Sequence, residues 1–150
     1  MRATISLVIG VVLLGLAAAQ ATAGPGVAEL PPVVVKTVPC AGELNVDPGL
    51  KKIEVTFSKR MKTEQMWSFV QVSADTFPET RGQPRFLEDG RTVVLPVALK
   101  PGHSYAMWLN RGELDAFRDA AGRPAVPYLL VFETAKNPQQ KEKRRGRSSD

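Results

Sequence analysis

The chain has 150 residues, a formal net charge of +5, one cysteine and one histidine. That length suits a single core; the lone cysteine excludes an intrachain disulfide, and one histidine without a cysteine cluster leaves a His/Cys zinc site unsupported. The charge sits at the ends: residues 24–135 hold thirteen basic and thirteen acidic residues, and residues 136–150 hold six and two, so the body lacks the basic face that nucleic-acid binding needs.

Residues 1–23 read as a signal peptide. Arg2 supplies the positive start, residues 5–19 form an apolar run, and Ala21-Thr22-Ala23 is a small-x-small cleavage pattern. Fifteen residues at a helical rise of about 1.5 Å fall short of a ~30 Å hydrocarbon core. Cleavage after Ala23 is therefore expected rather than an uncleaved anchor, leaving no stable membrane span and an exported protein, periplasmic, at the cell surface or secreted.

Residues 24–32 are rich in Pro and Gly and read as a linker. Residues 33–38 are β-branched and bounded by prolines, which marks a strand. Residues 39–50 lack periodicity and end in Asp47-Pro48-Gly49, so they are expected to form a loop. Cys40 within it has three readings: a small hydrophobe near a strand end, a thiol that pairs with another molecule, or a reactive thiol. Ile53, Val55 and Phe57 alternate through residues 51–58, the clearest half-buried strand.

Residues 66–73 read as a further strand with Trp67 and Phe69 on one side, and residues 75–85 as irregular chain. After the turn at Glu88-Asp89-Gly90, residues 91–99 form a strand expected at a sheet edge, or bulged, because Pro96 cannot donate to a ladder. Residues 103–110 form the next strand and 128–134 the last. Residues 111–127 are a long connection in which only 113–118 hints at a helical turn. Residues 136–150, with no apolar periodicity, read as a disordered basic tail. Such a tail is either a solvated end or an attraction for anionic lipid, polysaccharide or teichoic-type polymer.

Short strands, Gly/Pro turns and no amphipathic helix indicate an all-β antiparallel sandwich over residues 33–135. Tyr105 narrows the class. It opens a strand just after the Pro101-Gly102 turn, where a tyrosine in an immunoglobulin-like or fibronectin-III-like sandwich sends its ring into the core and its hydroxyl back to the main chain, the tyrosine corner. On that reading Tyr105, Met107 and Leu109 face inward.

Several segments then agree in order with one family. Lys36-Thr37-Val38-Pro39, Gly42, Val46-Asp47-Pro48, residues 53–61, 90–95, 99–105 and 118–124, and Phe132-Glu133-Thr134 together resemble the bacterial Ig-like domains often called SbsA Ig-like or Big_5, across residues 35–135. Trp108-Leu109-Asn110 and Pro127-Tyr128-Leu129-Leu130 depart by being more apolar. The resemblance implies a spacer or adhesive module, often beside other domains, with no catalytic residues to transfer.

Chemistry points the same way, toward no enzyme and no cofactor. His103 beside the corner reads as a solvent-facing turn residue. Glu113, Asp115 and Asp119 lack the alternating oxygen ligands of a calcium loop; Asp119 and Gly122 are simpler as the first position and the close of a turn. No phosphate loop or nucleophile elbow is present. Two functions remain: a structural or protein-interaction module of the cell envelope whose partner is an envelope protein or neighbouring domain, and a carbohydrate-binding module that stacks polysaccharide on Trp67, Trp108 and Tyr128.

Strand parity places the interaction face. With Tyr105, Met107 and Leu109 inward, Trp108 points outward, and with Tyr128, Leu130 and Phe132 inward, Leu129 and Val131 join it. An apolar outer face must be covered, either by the connections 74–88 or 111–126 or by a partner.

Overall fold

The computed structural model describes residues 24–64 and 66–136, and within them nine strands stack as two sheets. The signal-peptide reading of residues 1–23 and the tail reading of residues 137–150 lie outside the described residues. The first sheet joins β1 (Val34–Val38), β3 (Lys52–Phe57) and β7 (Thr92–Ala98), with β5 (Glu79–Thr80) and β6 (Arg85–Phe86) both on the far side of β7. The second runs β2 (Glu43–Val46), β9 (Tyr128–Thr134), β8 (Ser104–Leu109), β4 (Phe69–Gln71).

Period-two patterning drives this arrangement. Ile53, Val55 and Phe57 of β3 and Val93, Leu95 and Val97 of β7 are buried against Tyr105, Met107 and Leu109 of β8 and Leu130 and Phe132 of β9. Each set comes from alternate positions, so two sheets close on one core, as in an immunoglobulin-like sandwich.

Several expectations need correction. Residues 43–46 form a strand, paired in parallel with β9, so the sandwich is not wholly antiparallel. Its periodicity is hidden because Asn45 has φ 65°, which breaks the register between Glu43 and Val46 and leaves only Val46 buried. The strand expected over residues 66–73 shortens to Phe69–Gln71, and the stretch expected as irregular contributes β5 and β6. Residues 113–118 form no helical turn; an isolated bridge joins Arg111 to Leu114 instead. Residues 24–32 carry a 3-10 turn (Val27–Glu29), and the segment is fastened to the body: the Lys59 ammonium donates to the Ala28 carbonyl at 3.0 Å and to that of Leu30, and the Val126 N–H donates to the Pro32 carbonyl at 2.9 Å.

Pro96 lies in the interior of its sheet, not at an edge. Val97 N–H donates to Lys51 O and Phe57 N–H to Arg91 O, so odd-numbered positions of β7 bond β3 and even-numbered ones face β5 and β6. The donor that Pro96 lacks would point to that second side, where the chain between Thr80 and Arg85 bends away and contributes only the Arg81 N–H, donating to the Pro96 carbonyl at 2.9 Å. A split partner strand accommodates the proline without a lost bond.

Two polar devices hold the ends of β8. At its start, Tyr105 is buried, its ring stacks on Phe132 at 5.2 Å, and its hydroxyl accepts the Lys100 N–H at 2.7 Å. The buried Thr134 hydroxyl donates to the Lys100 carbonyl and accepts the His103 N–H at 2.9 Å. Pro101 and Gly102 form the exposed turn between; Gly102 has φ 61°, which only glycine adopts freely, and its N–H reaches the Ala135 carbonyl at 3.0 Å. At the other end, Asn110 is buried with φ 57°; its amide nitrogen donates to the carbonyls of Phe117 and Ala125 and its oxygen accepts the Phe117 N–H, each at 3.0 Å.

Asn110→Ala removes three buried partners at once and is expected to cost roughly 2–4 kcal/mol in denaturant unfolding; a loss under about 0.5 kcal/mol, the range of neutral surface changes, would show that the connection holds itself. Tyr105→Phe should cost only about 1 kcal/mol, because Lys100 is exposed and water can take over its amide.

Candidate interaction face

The β8–β9 ladder sets Trp108 directly opposite Leu129 and Ala106 opposite Val131, and β4 sets Val70 beside Trp108. Paired residues point to the same side, and the inward positions of these strands are filled, so all five lie on the outer face of the second sheet. Leu129 is 39% exposed, Val131 37% and the neighbouring Leu44 of β2 67%. Trp108 is half-buried, with the Arg111 guanidinium 5.6 Å from its ring centroid, a cation–π contact over an otherwise apolar surface.

Leu129 and Val131 are thus partly exposed rather than buried beneath the long connections, although residues 75 and 76 reach the β8 edge, where the Asp75 carbonyl lies 2.7 Å from His103 Nε2 and the Thr76 carbonyl accepts the Ala106 N–H at 2.9 Å. Within residues 74–88, β5 and β6 bond to β7 in the opposite sheet. Residues 111–126 turn inward, where Phe117 is fully buried and packs its ring against Phe57, Phe69 and Phe86 with centroids 5.2, 5.1 and 6.4 Å away. Arg111, at the root of that connection, leans over the Trp108 ring.

Two acidic residues of the same connection, Asp119 and Asp115, are used up locally, while Glu113 is exposed. Asp119 is buried; its carboxylate accepts the Arg123 N–H and Arg123 Nε, each at 2.9 Å, and lies 3.7 Å from the Lys59 ammonium. Gly122, at φ 84°, donates its N–H to the Asp119 carbonyl at 2.8 Å and closes the turn. Asp115 pairs with Arg118 at 2.6 Å. Among the described residues no group of three or more His, Cys, Asp or Glu side chains is placed to hold a metal.

Two single residues differ from expectation. His103 is half-buried instead of facing solvent: its Nε2 lies 2.7 Å from the Asp75 carbonyl and its ring packs on Tyr105 at 4.8 Å. Cys40 is exposed, which removes the small-hydrophobe reading; its loop position buries Pro39 and leaves the thiol outside.

The three aromatics considered for sugar stacking do not share a surface. Trp67 and Tyr128 are half-buried and pack against the core, Tyr128 opposite the inward Leu109, whereas Trp108 faces the other way. Sequence reading also passed over Asn110 and Thr134, whose burial makes them the polar anchors of β8. A polar residue just after or within an apolar strand was their only signal.

The family model for the bacterial Ig-like domain matches residues 28–134. Among curated proteins none matches the chain. Similar solved structures include one of the S-layer protein rSbsC(31-844) and one of surface layer protein SbsC, domains 1-6; each is 19% identical, with a TM-score of 0.47, over 73% of this chain and 14% of the other. The chain thus spans 14% of the length of either solved chain.

Two carboxylates make stability depend on acid. Burial pushes the Asp119 carboxyl up, but the Arg123 amide, the Arg123 guanidinium and the Lys59 ammonium outweigh it and hold the group below its ordinary value. Asp89 is lowered first by the Thr92 hydroxyl, then by the amides of Arg91 and Thr92. A depressed folded-state value means that the contribution is fully present above the unfolded-state carboxylate range and is lost as pH falls through the folded-state value. Asp119→Asn should therefore lower the melting temperature at neutral pH and flatten its further fall in acid. Parallel acid limbs in the two proteins would remove Asp119 from that dependence.

Proposed function

The chain belongs to the bacterial Ig-like domain family, and on that footing we propose that it is an exported, non-catalytic module with a structural or protein-interaction role in the cell envelope. The open apolar face of Trp108, Leu129 and Val131 carries the reading. An ordinary sandwich presents polar residues outward, and a contiguous apolar patch with a large aromatic at its centre is the usual mark of a docking surface. An envelope protein or a neighbouring domain is the partner this face fits. The signal-type residues 1–23 support export. Among the described residues no helix is long and apolar enough to cross a membrane.

A spacer role has its own support in how the chain runs through the body. The segment before β1 is fastened by Lys59 and Val126, at the end where β3 and β8 finish, and the segment after β9 is fastened by Gly102, at the end where they begin. The two flanking segments therefore sit at opposite ends of the sandwich.

Capture by the purified immobilised protein from envelope extract tests the reading, with isolated cell-wall polysaccharide in parallel. Trp108→Ser is expected to weaken protein capture about tenfold, the scale of losing one central aromatic anchor, while the melting temperature holds. Capture of polysaccharide alone, lost in Trp108→Ser, would move the assignment to carbohydrate binding, and protein capture unchanged by the substitution would remove the face.

A further inference from the structure

The outer face of β8 and β9 carries its charges at opposite ends. Its outward side chains pair in rows, Trp108 with Leu129, Ala106 with Val131 and Ser104 with Glu133. Of these only Glu133 is charged, and it stands at the end of the ladder where β8 begins. At the other end the Arg111 guanidinium lies over the Trp108 ring, 5.6 Å from its centroid. Neither Glu133 nor Arg111 belongs to an ion pair among the described residues.

Side-chain size changes along the same axis. The row at the Arg111 end holds the bulkiest side chain, Trp108, and is extended by Val70 of β4, whereas the row at the Glu133 end holds Ser104, which is small and exposed. The small, apolar Ala106–Val131 row lies between them. A half-turn about an axis over that middle row, in the plane of the face and perpendicular to the strands, exchanges the two ends. It sets β8 over β8 and β9 over β9, antiparallel and within the angle of about 30° at which twisted sheets stack. Trp108 of each copy then lies over Ser104 of the other, and Ala106 and Val131 meet their own counterparts. The guanidinium above Trp108 arrives beside the Glu133 carboxylate that neighbours that Ser104.

We propose that the Trp108 face is a homodimer interface, across which a second copy of this chain packs sheet on sheet about a two-fold axis with two reciprocal Arg111–Glu133 pairs. The charge pattern selects this occupant. A face with a basic end, an apolar middle and an acidic end is complemented by the same features in reverse order, and a half-turn of the face itself supplies them. The other two-fold stacking, with the axis along the strands, would set Glu133 against Glu133 and Arg111 against Arg111, and like charges exclude it. Four strands about 4.8 Å apart, each contributing about six residues at a rise of ~3.4 Å, give a face of roughly 400 Å². That is about half the ~800 Å² per partner of a standard interface, so the dimer is reversible. This inference rests on the Trp108 face as the docking surface proposed above and names its partner.

Sedimentation of the purified protein over a concentration series reads the association. The weight-average mass is expected to climb toward twice the monomer value below about 1 mM, and Trp108→Ser to hold it at the monomer. Arg111→Glu sets carboxylate against carboxylate and Glu133→Arg guanidinium against guanidinium, so each alone should stay monomeric. An equimolar mixture of the two restores both opposite-charge pairs in one heterodimer and should associate like the wild type, which only this two-fold geometry predicts. If either charge reversal fails to fold, Arg111→Gln and Glu133→Gln take their place, each expected to weaken association roughly tenfold through two pairs lost at once. A wild type that stays monomeric up to about 1 mM, folded single variants that dimerise unchanged, or a mixture that associates no better than its components overturns the proposal. A monomeric wild type that still captures an envelope protein, with capture lost in Trp108→Ser, ends the second copy and leaves the docking face standing; absence of both association and capture ends the face itself.

Discussion

The side-chain amide of Asn110 sets the course of the longest connection in the molecule. By bonding both main-chain groups of Phe117 and the carbonyl of Ala125, it turns residues 111–126 into the gap between the sheets, where the Phe117 ring completes a cluster with Phe57, Phe69 and Phe86. A buried amide with its partners in place is stabilising, and the same amide without them would be costly. The core therefore requires both the aromatic ring from the connection and the polar residue that aims it. One consequence reaches the surface: a connection spent on filling the core cannot also cover the outer face of β8 and β9, and that face stays apolar and open.

The strands whose side chains alternate cleanly were legible in the sequence. Ile53, Val55 and Phe57, then Tyr105, Met107 and Leu109, then Leu130 and Phe132 point inward as their spacing requires. What escaped depended on conformation that composition does not carry. Leu44 and Val46 share a parity, yet one is outside and the other inside, because Asn45 adopts a left-handed conformation between them. Pro96 argued for an edge by a sound rule, but the rule concerns the missing donor, and that donor would have pointed into the break between β5 and β6. Phe117 lies in a stretch with turn residues and acidic side chains, and nothing local marks it as the centre of a core.

The candidate face was readable by parity alone, whereas its exposure was not. Strand alternation places Trp108, Leu129 and Val131 together whatever the loops do; whether loops cover them depends on long-range packing. Asp119 and Gly122 illustrate the complementary case, in which a local turn signal led to a turn but gave no hint of its reach. The same carboxylate faces Lys59, and Lys59 in turn holds the carbonyls of Ala28 and Leu30. A buried carboxylate thus positions the cation that fastens the segment before β1.

That chain of contacts bears on how a spacer would carry load. The segment before β1 is held at one end of the sandwich through Lys59 and Asp119, and the segment after β9 is held at the other through the Lys100–Gly102 corner, where Tyr105 and Thr134 hold the N–H and the C=O of one residue, Lys100. A pull between the two ends meets exposed contacts at Lys59 and part-buried ones at the Lys100 corner before it reaches the ladders, and the shielded corner resists where exposed contacts yield. Between these ends, β1 and β9 lie in different sheets and do not pair with each other. Tension therefore passes through the packed core as well as through hydrogen bonds, and it is the core, with Phe117 at its centre, that couples the two sheets.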